Sequence, residues 1–395
     1  MRARRLVVLL AVALLAAALA APAARSAEAP RLNARAWALI DARSGDVLAS
    51  HAGSRRLSIA STTKLMTAYV ALRELALGKV VRAVPYASIY GESLLELSPG
   101  EPVSVRDLLY GLILRSGNDA AYDLAVAAAG SEDRFVGQMN RYAAALGLTD
   151  THYANPIGLD EQGNFSTALD LTALARRLLR DGAFAKIAAS RSATLRSLQP
   201  PRRIETLNDF LLLTPWANGV KTGHTFGAAY VLVGSGQRKG TELISAVLGA
   251  PTETDRDLET LQLLEYGFSK YRKRVPVRAG EALAEPSIRY SGGELPLRAA
   301  RTLAVGVRRG QSTRVSVRAP SKVEGPIRRG AALGRVTVFV DGLRAASAPL
   351  RAGRAVPKAT RFERVRSFVV GNLGWFALAL FGILVGAAIK RRSTR

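Results

Sequence analysis

Ile59-Ala60-Ser61-Thr62-Thr63-Lys64-Leu65-Met66-Thr67 lies within a stretch, Ser58 to Leu72, whose sole charge is Lys64. So apolar a run around one cation predicts a helix buried in a core. Ser61 and Lys64, three positions apart, fall on one face of a helical turn, which lets the amine nitrogen approach the serine oxygen. A serine hydroxyl is a poor nucleophile until a base removes its proton, and a lysine among apolar neighbours has the lowered pKa to be that base. The start of a helix adds backbone N–H groups and a positive dipole end, both suited to an anionic intermediate. Alone, Ser-x-x-Lys also arises as a solvent-facing pair, so its meaning depends on what the rest of the chain brings to it.

Two further stretches combine polar groups with turn chemistry. Ser116-Gly117-Asn118 follows the apolar run Leu108 to Leu114 and precedes Asp119-Ala120; a hydroxyl and an amide on a tight turn can relay a proton and hold a carbonyl, or simply cap a helix. Lys221-Thr222-Gly223 follows an expected turn at Asn218-Gly219 and precedes an expected strand from Ala228. On a strand edge, Lys and Thr can bind a carboxylate while Gly leaves room for an extended peptide to pair with the backbone.

Around these motifs the pattern alternates. Trp37 to Ile40 and Val47-Leu48, joined by Asp41-Ala42-Arg43-Ser44-Gly45, predict paired strands. Helices are expected from Ser104 to about Leu114, from Asp119 to Ala129, from Ala168 to Leu179 and from Asp257 to Tyr266, with strands at Ala228 to Val233 and Glu242 to Leu248. Strands at both ends with helices between them imply a mixed α/β unit. From Val275 to about Val356 the chain turns to short β runs, among them Val336 to Val340 followed by the hairpin-turn pair Asp341-Gly342. That predicts a small all-β module.

Composition bounds the chemistry. The 395 residues carry 56 Lys+Arg against 31 Asp+Glu, a net +25, with 48% hydrophobic residues, three His and no Cys. The length calls for two or more folded units, and the apolar fraction excludes a disordered chain. Without Cys there is no disulfide framework, Cys-based zinc site, iron–sulfur cluster or thiol catalysis, and three scattered His leave little for a metal or a Ser-His-Asp triad. Between Arg272 and Arg366, 22 Lys/Arg against 6 Asp/Glu leave +16 of the total charge. An exported domain meets anionic lipid or anionic wall polymer rather than nucleic acid, although such a block is also what an Arg-rich solvated surface looks like.

Export and tethering are expected from the ends. Arg2, Arg4 and Arg5, the uncharged run Leu6 to Ala21 and the small residues Ala23 to Ala27 have the order of a secretory signal peptide, residues 1–27. Phe368 to Ile389 is uncharged for 22 residues and is followed by Lys390-Arg391-Arg392, which suits a bilayer-spanning helix with a cytoplasmic tail; Arg361, Arg364 and Arg366 before it leave an in-plane amphipathic anchor as the alternative.

Ser-x-x-Lys, Ser-x-Asn and Lys-Thr-Gly in this order are the signature of penicillin-binding proteins and class A β-lactamases. The flanks Ile59 to Thr67, Ser116-Gly117-Asn118-Asp119-Ala120 and Gly219-Val220-Lys221-Thr222-Gly223-His224-Thr225 resemble the D-alanyl-D-alanine carboxypeptidases, the low-molecular-mass penicillin-binding proteins. The likeness runs from about Trp37 to Phe268, includes Leu148-Thr149-Asp150-Thr151-His152 and Gly158-Leu159-Asp160, and extends to Gly334-Arg335-Val336-Thr337-Val338 in the β module. Ile59 stands where family members usually carry Pro.

The resemblance implies an α/β (α+β) serine penicillin-recognising domain of the β-lactamase/transpeptidase-like type at residues 28–270. A small all-β domain at 275–360, a C-terminal membrane anchor helix at 367–389 and a basic tail at 390–395 would follow. It also implies that Ser61 is the acyl-enzyme nucleophile, Lys64 its base and Ser116 the proton carrier toward the departing D-Ala amine. Asn118 would hold the peptide carbonyl, Lys221 and Thr222 the terminal carboxylate, and Gly223 would leave the backbone open. The Ser61 and His224 N–H groups would form the oxyanion hole, with the His224 ring a spectator. The implied substrate is the peptidoglycan stem pentapeptide, which loses its terminal D-Ala; β-lactams would acylate the same serine. No metal or cofactor is needed, and the catalytic domain would face the periplasmic or extracytoplasmic side. A D,D-endopeptidase shares the motifs, a β-lactamase reading would rest on Glu161, and a sensing or wall-binding module that acylates without turnover is the non-enzyme alternative.

Overall fold

Strand β1 (Ala36–Asp41) is buried along its whole length, as a strand must be when it is covered on both faces. Beside it lies β2 (Val47–His51), paired antiparallel. The remaining strands of this sheet come from much later in the chain: β3 (Ala217–Thr225), β4 (Ala229–Arg238) and β5 (Thr241–Ala250). β5 pairs antiparallel with the other side of β1. The five-stranded order is β2-β1-β5-β4-β3, so β3 forms an outer edge, and β3 and β4 run antiparallel. Asn218-Gly219, expected as a turn, lies inside β3, where a register shift between Ala217 and Gly219 takes up the irregularity. A glycine in a strand thus marks a bulge here rather than the strand's end.

This computed structural model describes residues 29–372 together with Gly374, Trp375, Leu378 and Gly382. The expected signal peptide and most of the expected anchor lie outside the described residues. Two units emerge, one ending at Gln237 and resuming over Glu242–Ser269, the other formed by Arg238–Thr241 with the chain from Lys270 onward.

In the first unit, a 3-10 turn (Ala60–Thr63) leads into helix α1 (Lys64–Glu74), and every residue from Lys64 to Ala71 is buried. Burial all round marks a helix running through the core; Leu65, Met66 and Val70, fully enclosed, each contribute about 1.5–3 kcal/mol of apolar burial. Ser61 therefore sits in the tight turn before the α-helix, not in the helix itself. Helix α2 (Val105–Tyr110) starts at Ser104, whose hydroxyl accepts from the Asp107 N–H, and its expected continuation to Leu114 is a wider π turn over Gly111–Arg115. Helix α3 (Asn118–Ala129) follows at once. A helix absent from the sequence reading, α4 (Glu132–Ala145), turns only Phe135, Met139 and Ala143 fully inward, too thin a stripe to stand out. Helix α5 (Ala168–Leu178) comes before the sheet's last three strands, and α6 (Glu253–Ser269) after them is longer than the expected Asp257 to Tyr266.

The second unit is β-rich. A five-stranded sheet includes Thr313–Arg318, Ala332–Val340 and Leu343–Ala352, and the unit's core holds Val305, Val336, Val338 and Leu350. Asp341 and Gly342 join two of these strands with φ of +46° and +78°. That is the left-handed pair a two-residue hairpin turn requires. A helix at Arg361–Gly371 begins with a capping box between Thr360 and Glu363. Among the described residues no helix is long and apolar enough to cross a membrane.

Candidate active site

Three chain segments converge on the Lys64 amine. Nζ lies 3.0 Å from Ser61 Oγ, and its N–H groups donate to Asn118 Oδ1 at 2.6 Å and to the Ile157 carbonyl at 2.6 Å. The residue is fully enclosed. Burial holds its pKa well below the usual lysine value, the nearby Lys221 charge lowers it further, and the Glu92 and Asp119 carboxylates oppose both. An amine kept toward its neutral form beside a hydroxyl is the arrangement a general base needs.

Asn118 is placed by the break between the π turn and α3. Ser116 there adopts φ +58°, a left-handed conformation costing a non-glycine residue about 1–2 kcal/mol, and the reversal makes Asn118 the first residue of α3. Ser116 is itself buried, two residues before the amide that touches Lys64.

Strand β3 closes the other side. A Cβ on Gly223 would lie 2.9 Å from Ser61 N and 3.0 Å from the Ala60 Cβ, so only glycine lets this strand abut the turn that carries Ser61. Lys221, buried on the same strand, donates to the Thr222 carbonyl at 2.8 Å, and burial with the Arg256 charge pushes its pKa down to about 7. Thr222 is buried, whereas His224 is exposed and its ring stacks on Tyr230 with centroids 4.2 Å apart. The structure thus gathers Ser61, Lys64, Asn118 and Gly223 into direct neighbourhood, with Lys221 near enough for its charge to act on Lys64.

Two contributors, the Ile157 carbonyl and Glu92, leave no signal in the sequence, and a third, Gly158, is visible there only as part of the Gly158-Leu159-Asp160 motif. The Ile157 carbonyl is main chain and leaves no side-chain signature. Gly158, φ +93°, lies against the Ala60 carbonyl and, had it a Cβ, would place it 3.0 Å from Ser61 N. Glu92, from the irregular segment before the short strand Pro102–Ser104, accepts from Asn118 Nδ2 at 2.7 Å and from the Tyr86 hydroxyl at 2.6 Å. Asp160 receives the Thr225 hydroxyl and the Gly227 N–H, both at 2.8 Å, tying its loop to the end of β3. Glu161, on which a β-lactamase reading would rest, accepts from Asn155 Nδ2 at 2.8 Å.

The sequence pattern of the Peptidase S11 family, the D-alanyl-D-alanine carboxypeptidases, matches residues 23–252. The chain belongs to this family. D-alanyl-D-alanine carboxypeptidase DacC of Escherichia coli (strain K12) is 34% identical over 372 residues, covering 90% of this chain and 92% of that one. DacF of Bacillus subtilis (strain 168) is 29% identical over 337 residues, 83% of this chain and 87% of its own. Among solved structures, penicillin binding protein 5 from Haemophilus influenzae matches with a TM-score of 0.59 at 30% identity, covering 84% of this chain and all, 100%, of that one. The fold is accordingly the penicillin-binding, transpeptidase-like α/β type with a β-rich second domain. Family membership also makes the chain a serine-type hydrolase.

Proposed function

We propose that the chain removes the terminal D-alanine from peptidoglycan stem pentapeptides through an ester on Ser61, limiting the supply of donors for cross-linking. The observation that carries this reading is the buried Lys64 amine 3.0 Å from the Ser61 hydroxyl and 2.6 Å from the Asn118 amide oxygen, beside an edge strand bearing Lys221. Lys64 takes the Ser61 proton as Oγ attacks the penultimate D-Ala carbonyl. The Ser61 and His224 N–H groups receive the oxyanion. As the C–N bond breaks, the proton passes by way of Ser116 to the leaving D-Ala amine, and water then hydrolyses the ester. The substrate lies extended along β3, with its carbonyl on Asn118 and its carboxylate on Lys221 and Thr222. A β-lactam enters by the same attack and remains as a covalent adduct on Ser61.

The two lysines work in opposite protonation states. Lys64 acts as the neutral amine, so the rate rises with pH through its lowered pKa. Lys221 binds a carboxylate as the ammonium, present below about pH 7 and lost above it. The kcat/KM for D-Ala release is therefore expected to be bell-shaped, with an alkaline fall beginning near pH 7 and expressed as a rising KM. The same pentapeptide ending in a carboxamide should be a poor substrate at every pH and lack that fall. Equal cleavage of acid and amide forms would overturn the exopeptidase reading in favour of an endopeptidase.

Localisation follows the same proposal: residues 1–27 direct export, and residues 367–389 hold the catalytic domain at the outer face of the cytoplasmic membrane. Phe362, Val365, Phe368 and Val370 are 62–75% exposed on the Arg361–Gly371 helix, an apolar presence that suits a lipid surface. Carbonate washing of membranes is expected to leave the chain in the pellet if residues 367–389 span the bilayer and to release it if they lie in the interface. Recovery in the soluble fraction without any wash would refute tethering.

A further inference from the structure

Asn118 makes two different hydrogen bonds with the two ends of its amide. Oδ1 faces Lys64 Nζ at 2.6 Å, and Nδ2 donates to Glu92 Oε2 at 2.7 Å. The direction in which this amide points decides what Lys64 can do. A neutral amine has two N–H donors and one lone pair. The Ile157 carbonyl can only accept and takes one N–H; Asn118 Oδ1 can only accept and takes the other. What remains for Ser61 is the lone pair, which is the feature a base needs. With the amide reversed, Nδ2–H would compete for that lone pair, and the Ser61 oxygen would receive an N–H instead of giving up its proton.

We propose that Glu92 is the positioning residue that prevents this reversal: its carboxylate, an acceptor only, demands Nδ2 and so commits Oδ1 to Lys64. The idea rests on the reading of Lys64 as the base. The carboxylate is held from three sides, by Asn118 Nδ2, by the Tyr86 hydroxyl at 2.6 Å and by the Ile89 N–H at 3.0 Å. Burial alone would push its pKa up, but these hydrogen bonds, joined by the Lys64 charge while that amine is protonated, overcome burial and leave it below the usual glutamate value. It is therefore ionised over the working range and cannot donate to Asn118 Oδ1. The segment carrying it is fastened where it meets α3: the Asp119 carboxylate accepts from the Leu95 N–H at 2.8 Å and the Leu97 N–H at 3.1 Å. Glu92 is thus fixed relative to Asn118 rather than free to follow it. Asn118 keeps one Nδ2 hydrogen for the substrate carbonyl, so the two duties of the amide do not conflict.

The experiment follows acylation by a reporter penicillin across pH. Glu92→Ala should lower the second-order acylation rate by about ten- to a hundredfold, the loss of one hydrogen bond to a charged group, with little change in melting temperature. In an Asn118→Ala background the same change should cost almost nothing, because the residue acts through the amide. Glu92→Gln keeps the shape and can still accept from Nδ2, so its plateau should lie nearer the native rate. It removes one of the two carboxylates, Glu92 and Asp119, that offset the lowering of the Lys64 pKa by burial and Lys221. The acid limb should accordingly move to lower pH, and this variant carries the test if Glu92→Ala folds poorly. Native acylation by Glu92→Ala, losses that multiply in the double variant, or an unmoved acid limb in Glu92→Gln would each overturn the proposal. An active Lys64→Met variant would instead refute the base reading beneath it.

Discussion

Ser61→Ala, Lys64→Met and the double variant are expected to fall to nearly the same floor of D-alanine release, each about four orders of magnitude or more below the native chain. In the proposed mechanism neither group does half of the chemistry. Without the base, the hydroxyl keeps its proton at neutral pH; without the hydroxyl, the base has nothing to activate. Losses from groups that act as a unit do not multiply. Methionine suits position 64 because it fills a similar volume without an amine. Two stability effects then oppose each other. Removing a buried amine relieves its desolvation, whereas Asn118 Oδ1 and the Ile157 carbonyl lose a donor, at about 1–3 kcal/mol each. Melting temperature therefore shows whether lost activity is chemistry or unfolding. Release of D-Ala from the pentapeptide and the intact mass of a penicillin adduct are the measurements. A Lys64→Met chain acylated within about tenfold of the native rate would transfer the base role elsewhere.

The parts of this site that the sequence displays are those set by local spacing. Ser61 and Lys64 are neighbours because three positions of helical turn make them so, and Gly223 announces a close backbone approach because it lies between Thr222 and His224 in a strand. The β1 to β2 pairing and the Asp341-Gly342 turn are legible for the same reason: alternation and turn chemistry are properties of adjacent residues. What meets across the fold is not. Glu92 reaches Asn118 from a segment without periodicity, and a lone glutamate there looks like any solvated charge. The Ile157 carbonyl has no side chain to betray it. Nor does a polar pattern distinguish an α turn from the 3-10 turn at Ala60–Thr63 or the π turn at Gly111–Arg115, since packing around the site selects those windings. Gly158-Leu159-Asp160 falls between these cases. The motif is visible in the sequence, but its purpose becomes plain only when Gly158 is found against Ala60 and Asp160 against the end of β3.

That glycine supports the second large effect. Gly158→Ala is expected to reduce acylation more than about a hundredfold and to destabilise the first unit by about 2–4 kcal/mol. Two costs combine. At φ +93° an L side chain is strained, at about 1–3 kcal/mol. The added Cβ would also overlap the Ala60 carbonyl oxygen and lie 2.6 Å from its carbon. Those are backbone atoms, so no rotamer change relieves the clash, and the 155–158 loop and the Ser61 turn must move apart. Both sides of that gap matter. Asn155 Oδ1 folds the loop by accepting from the Ile157 and Gly158 N–H groups at 3.2 and 2.6 Å, the Pro156 carbonyl receives the Thr67 hydroxyl at 2.6 Å, and the Ile157 carbonyl holds Lys64. Displacing the loop loosens Lys64 while it shifts Ser61. Gly147→Ala is the control, because Gly147 has φ +74° but nothing stands within 4 Å of the position its Cβ would take. It should cost only the backbone strain of about 1 kcal/mol and leave acylation intact. If the two variants lose stability equally and both retain acylation, the close approach of Gly158 to the Ser61 turn has no part in holding Ser61 against Lys64.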